Sequence, residues 1–154
     1  MDSKQVPAVD FLLRQSALIC RSYTHWTGRR LLQEADADIA SLLFDAGFAV
    51  LSHDTRPEPV FNYANRTAMR LFGMDWDEIT RLPSRHSADP MLQEERAGFL
   101  ERVAKQGYVD DYSGVRIARG GTRFLIENAT VWNLVDAAGE LQGQAAMIPH
   151  WRFI

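Results

Sequence analysis

Apolar positions in the first third of the chain recur at helical spacing. Leu12, Ile19, Tyr23 and Trp26 follow one another at steps of seven, four and three residues, which puts them on one face of a helix over residues 8–26. Gly28 interrupts that stripe. A second stripe (Leu31, Leu32, Ala35, Ile39, Leu42, Leu43) predicts a second helix, closed by Asp45-Ala46-Gly47 with Gly47 at the C′ position. The period then changes. "FAVLSH" (48–53) is short and apolar and reads as a buried strand, and "VFNYA" (60–64) as a second one after a turn through two prolines.

"NRTAMRLFG" opens on an N-cap candidate, Asn65, and closes on Gly73, which predicts a short helix burying Ala68, Leu71 and Phe72. Asp75 followed by Glu78 has the capping-box spacing. In "LPSRHSADPMLQEER" (82–96), Pro83 stops one helix while Asp89 and Pro90 suit the start of the next, with Glu94 and Glu95 favoured by the helix dipole. That helix runs from about Pro90 to Gln106 and buries Met91, Phe99, Leu100 and Val103.

The last third alternates as strands do. A two-residue turn at Gly120-Gly121 would pair Ile117 with Phe124 and Val115 with Ile126 as one apolar face. That face continues through Asn128, Thr130, Trp132 and Leu134 to Leu141, Gly143, Ala145 and Met147. The opposite face reads Arg116, Leu125, Glu127, Val131, Asn133, Gln142 and Gln144, unless a bulge exchanges the two. Strands on both sides of a helical insert predict an α+β fold with one antiparallel sheet and the middle helices on one face. The N-terminal helices then cover the other face or pair with another subunit.

Bulk properties narrow the class. At 154 residues the chain suits one domain, burying roughly 68–70% of its unfolded surface without staples. A net charge of −3 argues against general nucleic-acid binding, which needs a basic stripe. One cysteine, Cys20, forms no internal disulfide. The N-terminus lacks a signal-peptide layout, and no apolar run approaches the ~18 residues of a membrane span, so a cytoplasmic protein is expected.

The element order resembles a PAS domain. More specifically, "FAVLSHDT", "FNYANRTAMRLFGMDWDEITRLPSR", "SADPMLQEER", "GYVDDYSGVRI" and "RFLIENATVWNLVDAAGELQGQAAM" resemble the MEKHLA domain family over about residues 41–151, with "LPSR", "YSGVRI", "TVWNL" and "GQAA" in the family's order. That family includes free-standing bacterial proteins and the C-terminal domain of plant class III homeodomain leucine-zipper regulators. With no homeodomain or zipper heptads, this chain resembles the free-standing form. The resemblance implies a PAS-like five-stranded antiparallel sheet with a helical cluster on one face, preceded by N-terminal helices. It divides the chain into residues 1–40, capping or dimerising helices, and residues 41–154, the PAS-like domain.

The resemblance names no ligand. A haem-binding PAS domain would draw an axial His from the pocket, for which His53 and His86 are candidates. Flavin photosensors of this class form their adduct on a Cys in the helical cluster, and residues 65–89 hold none. Non-covalent flavin stays open, with Asn128, Asn133 and Gln144 where flavin-binding relatives use amides. No pair of His has metal-ligand spacing. Ser84 near His86 lacks a nucleophile elbow, and "RGGT" is a turn rather than a phosphate loop. Arg85 suits a carboxylate of the protein, such as Glu127 or an Asp, or an anionic ligand. Arg116 is expected to pair with Glu127 across the hairpin.

The candidate ligand-binding residues are therefore His53, Tyr63, Trp76, Arg85, His86, Tyr112, Arg116, Trp132, Asn133 and Gln144, around a space between sheet and helices. Phe72 joins the aromatic wall. The leading expectation is a non-enzymatic sensory or interaction module, a homodimer that binds a small molecule or a protein partner, with its cofactor unknown and flavin or haem both open. Two alternatives are a small enzyme using Arg85, His86 and His53, and a homodimeric adaptor with a filled core.

Overall fold

The first helical stripe forms α1 (Val9–Thr27), whose Ile19 and Tyr23 are buried and which ends at Gly28. The computed structural model describes residues 8–33, 38–87 and 93–154. Among the described residues the second stripe is helical over α2 (Ile39–Phe44), where Asp38 accepts from the Ser41 amide and caps the helix. Leu31 is buried from a bent, non-helical stretch. Gly47 is not the C′ residue: the helix closes earlier, where the Asp45 amide donates to Ser41 O at 3.0 Å. The expectations for Ala35, Asp89, Pro90, Met91 and the Glu94 side chain lie outside the described residues.

The sheet is antiparallel, in the order β2 (Phe61–Ala64), β1 (Ala49–His53), β5 (Leu141–Ile148), β4 (Arg123–Val135), β3 (Tyr108–Ile117). A short β6 (His150–Phe153) continues beyond β5 and also pairs with β4. Between β2 and β3 lie α3 (Arg66–Phe72), α4 (Trp76–Ile79), a 3₁₀ turn (Ser84–Ser87) and α5 (Gln93–Gln106). These pack on one face of the sheet, and α1 packs on the other.

The inner layer joins Leu51, Phe61, Phe72, Phe124, Ile126 and Ile148 under α3 and α4. Phe99 and Val103 of α5 meet Val131 beside it. The outer layer joins Ile19 and Tyr23 of α1 to Val50, Tyr63, Trp132, Leu134 and Ala145. Trp132 is its centre: fully buried, edge-on to Tyr23 at 4.9 Å, with its indole N–H donating to Ile19 O at 3.2 Å. A buried indole needs such a partner. α1 is thus a structural layer of this fold, since its removal would bare the apolar face that Trp132 occupies.

Asn65 ties three elements together. Its Oδ1 accepts from the amides of Ala68 (3.0 Å) and Val50 (3.0 Å), and its Nδ2 donates to the carbonyls of Leu43 (3.0 Å) and Phe48 (2.9 Å). It caps α3, anchors β1 and receives the end of α2, with no hydrogen-bonding capacity left over. Asp75 and Glu78 form the expected capping box.

The β3–β4 register differs from expectation by one residue: Ile117 faces Arg123, Arg116 faces Phe124, and Val115 faces Leu125. The loop is longer than two residues, because the Ala118 amide donates to Thr122 O at 2.7 Å. Two bulges then follow. Residues 110–111 oppose Thr130, and residues 127–128 oppose Ser113, with Asp111 (φ 55°) and Asn128 (φ 57°) in the left-handed region. Each bulge turns its strand over. Phe124 and Ile126 therefore face inward with Ala129, Val131 and Asn133, while Thr130, Trp132 and Leu134 face α1. In the β4–β5 pair Thr130, Trp132 and Leu134 share a face with Met147, Ala145 and Gly143 as expected, but Leu134 faces Gly143 and Trp132 faces Ala145, two residues beyond the register a four-residue turn would give.

Candidate ligand site

Between the inner sheet face and the helices lies a cavity of about 50 Å³. Its walls are mostly apolar: Leu51, Phe61, Phe72, Phe99, Ile126 and Val131 contribute, with Leu100, Ala146 and Ile148. The polar residues on it are Ser52, His53, Ser87, Tyr112, Arg116 and Gln144.

Tyr112 reaches this wall because the bulge at Asp111 turns it inward. Its ring stacks on Phe99 at 4.0 Å between centroids and lies back over Gly114, where a Cβ would sit 2.6 Å from the hydroxyl. The hydroxyl accepts from Arg116 Nη2 at 3.1 Å, and the guanidinium also lies 5.4 Å from the Tyr112 ring centre. Arg116 does not pair with Glu127. The one-residue register shift sets Arg116 opposite Phe124 and leaves Glu127 on the other face, where Arg152 approaches it at 3.6 Å.

Gln144 and Asn133 fasten α5 to the sheet. Asn133 Nδ2 donates to Val103 O (3.1 Å), which also accepts the Gly107 amide, and to Ala104 O (3.2 Å) in the last turn of the helix. Gln144 Nε2 donates to Leu100 O (3.2 Å) and Asn133 Oδ1 (3.1 Å). The Asn133 backbone joins in as well: its amide donates to Gly107 O at 2.9 Å, and its carbonyl accepts from the Trp26 indole of α1 at 2.9 Å. One residue of β4 thus holds the end of the cavity-lining helix and the end of the outer helix.

The remaining candidates stand elsewhere. Tyr63 and Trp132 belong to the outer layer under α1, so they face away from the cavity; burial pushes the Tyr63 phenol above its ordinary pKa. Trp76 contacts Tyr63, Phe11 and Phe44 and also lies on the outer side. Arg85 and His86 are exposed on the 3₁₀ turn, while its Ser84 and Ser87 are buried. Arg85 meets Glu58 at 3.1 Å, a carboxylate of the protein other than the one expected. Arg85, His86 and His53 therefore do not converge on one cavity. Ser87, Phe61, Val131 and Ala146 were not anticipated as wall residues. The helical period of Phe99 and Leu100 on the buried side of α5 is the sequence signal for that wall.

The cavity's size limits what it holds. Ligand pockets usually begin near ~300 Å³, and neither an isoalloxazine nor a porphyrin fits about 50 Å³ in this packing. Cys20 lies in the outer layer, across the sheet from the cavity. Among the described residues, no three His, Cys, Asp or Glu side chains gather as a metal site, and no helix is long and apolar enough to cross a membrane.

Sheet order, the helical insert after β2 and the cavity beneath it define the PAS/LOV fold class. Solved structures sharing it include a PAS domain from Colwellia psychrerythraea (TM-score 0.62, 16% identity, covering 75% of this chain and 92% of that one). An RNA-binding light-oxygen-voltage receptor also matches (TM-score 0.60, 22% identity, 71% of this chain, 31% of that one). The chain belongs to the MEKHLA domain family, whose model matches residues 13–153. Related proteins include the homeobox-leucine zipper proteins HOX9 of Oryza sativa subsp. indica (24% identity, 88% of this chain) and REVOLUTA of Arabidopsis thaliana (23%, 100% of this chain). The match covers 16% and 19% of those two proteins.

Proposed function

We propose that this chain is a non-enzymatic PAS-like sensory module. A small ligand enters the cavity, changes how α5 seats on the sheet, and the change reaches α1. The observation that carries this reading is the double role of Asn133, which binds the α5 carbonyls through its side chain and the Trp26 indole through its backbone. Because Phe99 and Leu100 line the cavity from α5, an occupant that displaces them strains the same hydrogen bonds. An acid–base role for Arg85, His86 and His53 has less support, since the first two stand outside the cavity.

The test is a fragment screen by thermal unfolding, with Ala146→Leu as the cavity-filled control. A fragment at a hundred times its Kd stabilises by about 2.7 kcal/mol, which for a chain of this size is a shift of about 5–10 °C. The shift is expected in the wild type and not in Ala146→Leu. Wild-type protein that no fragment stabilises would refute ligand binding here.

Val9 and Leu13, 67% and 51% exposed on α1, favour a second role for the helix as a protein contact and fit a homodimer. Light scattering of Leu13→Glu tests it: a dimer in the wild type and a monomer in the variant is the expected result, and an unchanged mass rejects it.

A further inference from the structure

We propose that the cavity takes a short-chain organic carboxylate, with its carboxylate on Arg116. The inference rests on the ligand-binding reading above and supplies the ligand's chemistry. Among the arginines whose burial is described, Arg116 is the one that is not exposed. It is also without a carboxylate partner among the described residues. Its two hydrogen bonds go to neutral acceptors, Val115 O at 3.0 Å and the Tyr112 hydroxyl at 3.1 Å. By contrast Arg29, Arg56, Arg66, Arg85, Arg119 and Arg152, whose side chains are half or more exposed, each meet an acid. Six exposed arginines thus carry counter-ions, while Arg116, half-buried at the cavity wall, has none among the described residues.

A guanidinium has five N–H donors and matches a carboxylate with two parallel bonds. Tyr112 holds Arg116 by hydroxyl and ring, so the group is placed before a ligand arrives. The surrounding wall chooses among anions. Inorganic phosphate or sulfate would gain nothing from Leu51, Phe99, Ile126 and Val131, whereas an alkyl tail is favoured there. Size then sets the tail: an apolar cavity of about 150 Å³ holds benzene, so about 50 Å³ admits only a few carbons. Acetate, propionate and butyrate fit these conditions; a long-chain fatty acid does not.

The experiment is an NMR titration of methyl-labelled protein at neutral pH with propionate, propionamide and 1-propanol. Arg116→Gln and Arg116→Lys are titrated alongside. Propionate is expected to shift the methyls of Leu51, Ile126 and Val131 and to bind about ten- to a hundredfold tighter than propionamide, the range of a charge-assisted hydrogen bond. Arg116→Gln should erase that preference and Arg116→Lys should keep part of it. Should Arg116→Gln fail to fold, the acid-to-amide ratio in the wild type and Arg116→Lys still decides. Equal binding of propionate and propionamide overturns the carboxylate assignment but leaves the cavity as a ligand site. Preference for the acid that survives in Arg116→Gln also overturns it. No methyl shift with any of the three probes overturns both readings.

Discussion

Replacing Asn65 with Ala removes four hydrogen bonds at once from a fully buried position. The costs are unequal. Leu43 O keeps a second partner, since the Ala46 amide donates to it at 3.3 Å. The Val50 and Ala68 amides lose the acceptor that Asn65 supplies, and α3 loses its cap. A buried donor left unpaired costs about 1–3 kcal/mol, and a lost N-cap, which is the Ala68 bond counted once, costs about 1. Together with the vacated volume, the expected loss is about 3–5 kcal/mol. At a urea m-value of about 2 kcal/mol/M, the midpoint should fall by roughly 1.5–2.5 M. Asn65→Asp refines the test. It keeps both acceptor bonds but puts an oxygen against Leu43 O and Phe48 O, so ionisation is disfavoured and the folded pKa lies above the ordinary ~3.9. A raised folded pKa gives stability that is present below the unfolded pKa and lost as pH rises through the folded one. The deficit of Asn65→Asp relative to wild type should therefore shrink as pH falls from 7 toward 4. A midpoint loss below about 0.5 M for Asn65→Ala, or a pH-independent deficit for Asn65→Asp, refutes the reasoning.

Other consequences are equally concrete. Gly107 has φ 97°, and a Cβ there would meet the Trp26 ring, so Gly107→Ala should cost about 2–4 kcal/mol by thermal unfolding, and less in a Trp26→Ala background. Burial opposes ionisation of Asp110, but hydrogen bonds from Thr130 and Arg29 and the Arg29 charge outweigh it and hold the pKa below its ordinary value. The stability this supplies is present above the unfolded pKa and lost as pH falls through the folded one, so the advantage of wild type over Asp110→Asn should shrink as pH falls below about 4 and vanish below the folded pKa. Burial pushes the Cys20 thiol up to about 11. At pH 8 about a thousandth is then ionised, so a thiol reagent should label native protein far more slowly than urea-unfolded protein.

Two helix starts were legible because a side chain carries the signal, whereas the Asp38 cap of α2 was not. Asn65 before "RTAMRLF" and Asp75 with Glu78 are local motifs, and both cap as their spacing implies. The Asn65 bonds to Leu43 and Phe48 were not legible, because they depend on where α2 ends in space. The strands of the last third were legible as strands but not as faces. Asn128 looks like any polar residue in an alternating run, yet its positive φ turns β4 over and sends Trp132 away from Phe124. The Asn128 bulge keeps Trp132 from the cavity, the Asp111 bulge turns Tyr112 toward it, and the shifted hairpin register brings Arg116 in and parts it from Glu127. The second helix was overextended because Leu31 and Leu32 are apolar, and apolarity alone does not distinguish a helical turn from a bent segment that packs. The exposure of Arg85 and His86 follows from the 3₁₀ turn, where the buried positions go to Ser84 and Ser87.

If the cavity and α1 are coupled through Asn133, the Trp26 indole proton reports on it directly. Its NMR resonance should be followed while a cavity fragment is titrated, with the Leu51 and Val131 methyls as the measure of occupancy. The indole signal should shift with the same saturation curve as the methyls, and neither should move in Ala146→Leu. Methyls that saturate while the Trp26 proton stays in place would contradict the coupling.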